Sequence, residues 1–255
     1  MDYQMASDSP QEKKEDSPLS GLIVALRLND TAKTTRNAAG FDRWFDSYTT
    51  FTDMLLTFRD IGYYQRQRNV LDNSIVFGRF VELHKNLPWV FICVLSGNYH
   101  SAIRELRYIL DSFLQAYYLD QEHPTAGVPC KLEVLREIER KRFGSRLIER
   151  IGVQEKGEMK ELYKELSQFV HASYEEMKTV LDERTIFDRV TYDFVQTSFD
   201  RCIDLTARVL DVVFLLTLTR FPELISQLTP DLKRAISDDY RLTLRYMESH
   251  TVAPT

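Results

Sequence analysis

From Phe41 onward large apolar side chains recur every three or four residues, and that period admits only one regular structure. Phe41, Trp44, Phe45, Tyr48, Phe51, Leu55, Phe58 and Ile61 line one side of a helix, whereas on a strand, with its period of two, they would scatter over both faces. The spacing persists to Met247. Breakers are scarce: nine Gly and eight Pro in 255 residues, where average usage would supply about 30. The chain is therefore expected to be all-α, a multi-helix bundle of about seven to nine helices. Its length is near the point at which a single core stops growing, so residues 19–255 are expected to form one domain with an internal loop at 121–129.

The opening MDYQMASDSPQEKKEDSP, residues 1–18, reads as a disordered acidic tail. Leu19 to Leu28 reads as a short apolar helix and Asn29 to Gly40 as a polar connection. After the Phe41 to Ile61 helix, a second is expected from Asn69 to Lys85. A third would start with Pro88 in its first turn, where the missing N–H is not needed, and stop at Gly97-Asn98. Tyr99 to Tyr118 is amphipathic. QEHPTAGVP, residues 121–129, carries two Pro and a Gly and reads as a loop. Helices are expected at Leu132 to Phe143, Ser145 to Ile151 and Met159 to His171. Thr185 to Phe194 fits strand or helix, with helix favoured because no partner strand is visible. Val195, Phe199, Cys202, Thr206, Val209, Val213 and Leu216 repeat about every 3.5 residues, the spacing of a seam against another helix. A last helix is expected from Pro230 to Met247, capped by Thr229 or Asp231.

Charge and cysteine content bound the function. Thirty-three basic and 38 acidic residues give a net charge of −5, which provides no general attraction to nucleic acid or an anionic membrane. Cys93, Cys130 and Cys202 form no C-x-x-C pair, so no disulfide framework and no structural zinc are indicated. A reducing, cytoplasmic location is expected, and the N-terminus lacks the basic and apolar regions of a secretory leader. The apolar runs LPWVFICVL and VLDVVFLLTL, the second interrupted by Asp211, are shorter than the ~20 residues that span a bilayer. No membrane association, cofactor or metal is expected.

Three sets of polar residues remain as candidates for chemistry, since the chain holds no phosphate loop, dinucleotide fingerprint, nucleophile elbow or H-E-x-x-H helix. His100, Arg104, Arg107 and Asp111, with Gln115 and Tyr118, fall within an arc of about 80° on the Tyr99 to Tyr118 helix. This stripe reads as a solvated face with an Arg107–Asp111 pair worth about 0.2–0.5 kcal/mol, as part of a helix interface, or as an anion site. Ser167 and His171, four residues apart, form the second set. The histidine reads as a structural hydrogen-bonder, or as a general base if the two helices pack stripe to stripe. In the third set, Arg136, Arg140, Lys141, Arg142, Arg146 and Arg150 make a basic cluster diluted by glutamates, and Arg59, Arg66 and Arg68 accompany Tyr63 and Tyr64. Basic residues interleaved with aromatics can bind single-stranded nucleic acid.

Two segments, Arg79-FVEL-His84 and Arg245-YMES-His250, carry Arg-x4-His on a helical chain. In this the chain resembles the HEPN superfamily of all-helical prokaryotic proteins, whose members are often dimeric ribonucleases of toxin and antiviral systems. Phe80 and Tyr246 stand where that family usually follows its Arg with a polar residue. The resemblance implies a metal-independent ribonuclease in which His84 handles the proton of the ribose 2′-OH and Arg79 holds the scissile phosphate. Arg79 and His84 are preferred because His250 lies near the C-terminus. LSGNYHSAIRELRYILDSFLQAYYLD followed by YKELSQFVHAS is also similar to uncharacterised helical archaeal and bacterial proteins. Two functions are thus expected: a self-associating protein-interaction or scaffold module, a homo-oligomer, or a ribonuclease whose partners are RNA and a second subunit.

Overall fold

The computed structural model describes residues 27–58, 61–141, 145–170 and 193–250. They form eleven α-helices and one 3-10 helix, and no strand occurs among them. The helices are α1 (Leu28–Arg36), α2 (Phe41–Phe58), α3 (Ile61–Asp72), α4 (Ile75–Leu95), α5 (Tyr99–Glu122), α6 (Val128–Lys141), α7 (Arg146–Arg150), α8 (Lys156–Val170), α9 (Gln196–Arg220), α10 (Pro230–Asp239) and α11 (Arg241–His250). The 3-10 helix is Pro222–Gln227. The all-α expectation holds, and the count of seven to nine helices is corrected to twelve among the described residues. The 1–18 tail, the Leu19 to Leu26 part of the expected first helix and Thr185 to Tyr192 lie outside the described residues.

The count was low because several breaks carry neither Gly nor Pro. Asn73-Ser74 interrupts the expected Asn69 to Lys85 helix; Ser74 turns extended and its hydroxyl caps α4 by accepting from Phe77 N. Tyr240 splits the expected last helix into α10 and α11. Thr229, with Pro230 behind it, caps α10. Conversely, Pro88 does not open a helix but sits inside α4. Its ring removes one hydrogen bond, to the carbonyl of His84, and His84 is exposed, so water can satisfy that carbonyl. The expected polar connection from Asn29 is helix α1. Two of its threonines bond back to carbonyls four residues earlier, the exposed Thr34 to Asp30 at 3.0 Å and the buried Thr35 to Thr31 at 2.8 Å, so the Thr35 hydroxyl is buried with a partner.

The centre of the molecule is α9. All ten residues from Val209 to Leu218 are buried, and α9 packs against α2, α4, α5, α8 and α11. The seam read from Val195 to Leu216 is therefore spent inside the chain's own core from Phe199 onward, and Val195 alone of its residues is exposed. On the Phe41 to Phe58 face Trp44, Phe51 and Phe58 are spent likewise, while Phe45 stays half-exposed: Trp44 stacks on Phe91 at 3.9 Å, meets Phe199 edge-on at 5.9 Å and donates its indole N–H to Thr206 at 3.4 Å. Helices α2 and α4 run antiparallel, with ring pairs Tyr48–Phe91, Phe51–Phe80 and Phe58–Phe77 along their contact. Gly97, at φ 75°, supplies the left-handed step between α4 and α5 that a side chain would disfavour. Among the described residues no helix is long and apolar enough to cross a membrane.

Candidate functional site

The stripe on α5 meets α8, and the solvated-face reading is corrected for its centre. Arg107 is buried and ion-pairs with Asp111 one turn on. Its Nε donates to Ser167 Oγ at 3.1 Å, and that hydroxyl donates to the Tyr163 carbonyl at 2.6 Å. The guanidinium lies 3.5 Å over the Tyr163 ring, an arrangement in which ring and carboxylate share the charge. Arg104 and His100 are exposed at the end of the same contact: Arg104 Nε donates to the Phe169 carbonyl at 3.4 Å and the His100 ring is 6.0 Å from that of Phe169. The centre of the stripe thus faces the Ser167 side of α8, because α5 packs against α4, α8 and α9 on its several sides. Burial, then the neighbouring Asp111, pushes the Tyr163 hydroxyl pKa up. Ser167 belongs to this cluster; His171 lies outside the described residues.

Arg79 and His84 are not brought together. Five residues apart on α4, they point about 140° from each other. Arg79 pairs with Glu82 at 2.5 Å and lines one groove with Gly78 and Val128, whereas His84 lines another with Tyr64 and Arg68. The second Arg-x4-His segment has the same spacing and the same 140° divergence on α11, but both of its residues border one groove. Arg245 and His250 line one polar groove of about 740 Å³, with Glu155, Glu158, Tyr246 and Ser249. There Arg245 pairs with Glu158 at 2.6 Å, and His250 Nδ1 is 2.9 Å from both Ser249 Oγ and the Tyr246 carbonyl. Of the basic cluster, Arg136 on α6 and Arg146 on α7 are exposed; the Arg140 and Lys141 side chains and all of Arg142 lie outside the described residues.

Sequence reasoning missed the most buried charges. Asp120, near the end of α5, accepts from Ser74 Oγ and from the backbone N–H groups of Ile75 and Val76 at 3.0 and 3.1 Å. Lys131 of α6, fully buried, donates to Asp120 at 2.8 Å and to the Asn73 carbonyl at 2.6 Å. Arg220 Nε, at the end of α9, lies 3.6 Å from Asp120. The carboxylate sits at the positive end of α4, where a helix favours negative charge. A signal was present: Leu106, Phe113, Tyr117 and Asp120 share one face of α5, and a carboxylate in an apolar stripe implies buried partners. Asp211 plays the same part for α11, accepting from Leu242 N and Thr243 N at 2.9 Å each and from Thr243 Oγ1 at 2.8 Å.

No group of three or more His, Cys, Asp or Glu side chains placed to hold a metal occurs among the described residues. Comparison with protein families, with curated proteins and with solved structures found no match to this chain.

Proposed function

We propose that this protein is a self-associating interaction module that docks through the outer face of α4. One observation carries the reading: Trp89 and Ile92, one turn apart on that face, are 52% and 53% exposed. Residues three apart on a helix are neighbours, so the indole and the sec-butyl side chain form one apolar turn in water. Trp is among the residues most enriched where interfaces bury. Phe45 of α2, half-exposed and 6.3 Å from the Phe91 ring, extends apolar surface beside α4. This face replaces the α9 seam and the Trp44 side of α2, which are consumed within the core.

Sedimentation equilibrium tests the reading. The chain mass is 29.9 kDa, and the wild type is expected at twice that mass at micromolar concentration. Trp89→Glu is expected to sediment as a monomer with an unchanged helical spectrum, because position 89 contributes little to the core. A wild type that stays monomeric sinks the reading.

A second reading, a metal-independent ribonuclease, is supported by the shared groove of Arg245 and His250. An imidazole and a guanidinium at one opening are the groups needed to move a proton and hold a phosphate. RNA cleavage lost in His250→Ala and kept in His84→Ala would establish it; no cleavage by the wild type would remove it.

A further inference from the structure

We propose that the groove between α2, α3 and α4 binds a free amphipathic monoanion, an aliphatic or aromatic carboxylate, with its apolar body on Leu55, Phe58, Phe77 and Val81 and its carboxylate at Arg68 and His84. The opening measures about 650 Å³, inside the roughly 300–1,000 Å³ of small-molecule sites. Its apolar wall comes from two helices already locked by the core. Phe58 is buried and its ring lies 5.3 Å from that of Phe77, so the wall is preformed and not assembled on binding. Val81, 44% exposed, borders the opening with no polar group of its own. Such a surface gains by covering apolar area that water now wets.

The charge at the opening selects the head group. Among the described lining residues are one guanidinium and one imidazole, Arg68 and His84, and no carboxylate, in a chain whose net charge is −5. The acid nearest in bonding, Asp72, does not line the groove; it accepts from Tyr64 Oη at 2.9 Å and from Arg68 Nε at 3.4 Å. Those two bonds hold Tyr64 and Arg68 at the rim. A guanidinium has five N–H donors in a planar fork, so the Nε contact with Asp72 is compatible with an Nη edge on a ligand carboxylate. Tyr64 and Gln65 add neutral hydrogen-bonding groups to the same rim. The site is separate from the docking face, since Val81 and Trp89 stand about 12 Å apart along the α4 axis.

Isothermal titration of the full chain with dodecanoate below its micelle concentration tests the proposal. Saturable one-to-one binding is expected with Kd between about 10 µM and 1 mM, the range for a ligand of this size. Val81→Trp fills the opening from an exposed position and is expected to raise Kd at least tenfold. Arg68→Glu, also on an exposed side chain, is expected to raise Kd for dodecanoate at least tenfold and to leave binding of dodecanol unchanged. Thermal melts of both variants should match the wild type. Absence of saturable binding overturns the proposal, as does binding that Val81→Trp leaves intact, or wild-type affinity for dodecanol equal to that for dodecanoate.

Discussion

Arg107 shows how a single buried cation is satisfied by parts that are each modest. The carboxylate of Asp111, the Tyr163 ring and the Ser167 hydroxyl surround it, and Asp111 remains a third exposed, so water screens part of the pair. Arg107→Ala is expected to destabilise by about 2–4 kcal/mol, from the lost ring contact and the stranded carboxylate. The Arg107→Ala, Asp111→Ala double variant should be less destabilised than the sum of its single changes, read from denaturant melts; strict additivity would mean the two do not interact. The thiols offer a second check on residue-level burial. Cys130 is exposed, while Cys93 and Cys202 are buried, and burial pushes the Cys202 thiol up to about 12. Only the thiolate attacks. A disulfide reagent at neutral pH should therefore titrate one thiol quickly in the native protein and all three after unfolding. Fast reaction of a second native thiol would contradict the burial of Cys93 or Cys202.

At the scale of elements, the helix starts that were hardest to read are those whose caps come from elsewhere in the chain. Thr229-Pro230 is a local signal, and α10 starts where that signal says. α4 has a local cap in Ser74, but its Ile75 and Val76 N–H groups, like Leu242 and Thr243 N–H at α11, are held by Asp120 and Asp211, 45 and 31 residues away in sequence. Apolar spacing showed α2, α5 and most of α9 because it reports which face a helix buries; it is silent on which distant carboxylate ends the preceding turn. The same limit hid the partner of the α5 stripe: the spacing put His100, Arg104, Arg107 and Asp111 on one face, but only the fold brings α8 to it. For the Asp120 hub the energetic sign is asymmetric. Asp120→Ala strands the Lys131 charge with no water to reach it and removes the acceptor of the Ile75 and Val76 N–H groups, so a loss of about 3–5 kcal/mol is expected. Asp120→Leu combined with Lys131→Met removes both members of the pair and should recover much of that loss in a denaturant melt, leaving the Ile75 and Val76 N–H groups and the Arg220 cation without their carboxylate as the residue of the damage. A double variant no better than Asp120→Ala would show that the ion pair is not what holds this corner.

For the whole molecule, the decisive arrangement is a helix segment with no outer face, Val209 to Leu218 of α9. Helices α1 and α7 are short, nine and five residues, and each touches the bundle along one side. α9 by contrast is enclosed from Val209 to Leu218, and a helix buried on all sides cannot lose its packing while the others keep theirs. Its backbone amides can open only when the surrounding helices separate, which is global unfolding, whereas a peripheral helix can fray with the core intact. Hydrogen exchange followed by peptide mass is therefore expected to place the amides of Val209 to Leu218 at the full unfolding free energy measured by denaturant. Those of Thr31 to Arg36 and of Leu147 to Arg150 should exchange at lower free energies, in that they give up few buried contacts on opening. Trp44→Ala removes a buried indole that touches both Phe91 and Phe199, at a cost of about 3–5 kcal/mol. If α9 is the last element to open, that loss should lower protection of Val209 to Leu218 by the same amount. It should leave exchange in α7 unchanged, because α7 already opens without disturbing the core. A drop confined to α2, with α9 protection retained, would show that the enclosed helix is not the element on which cooperative folding depends.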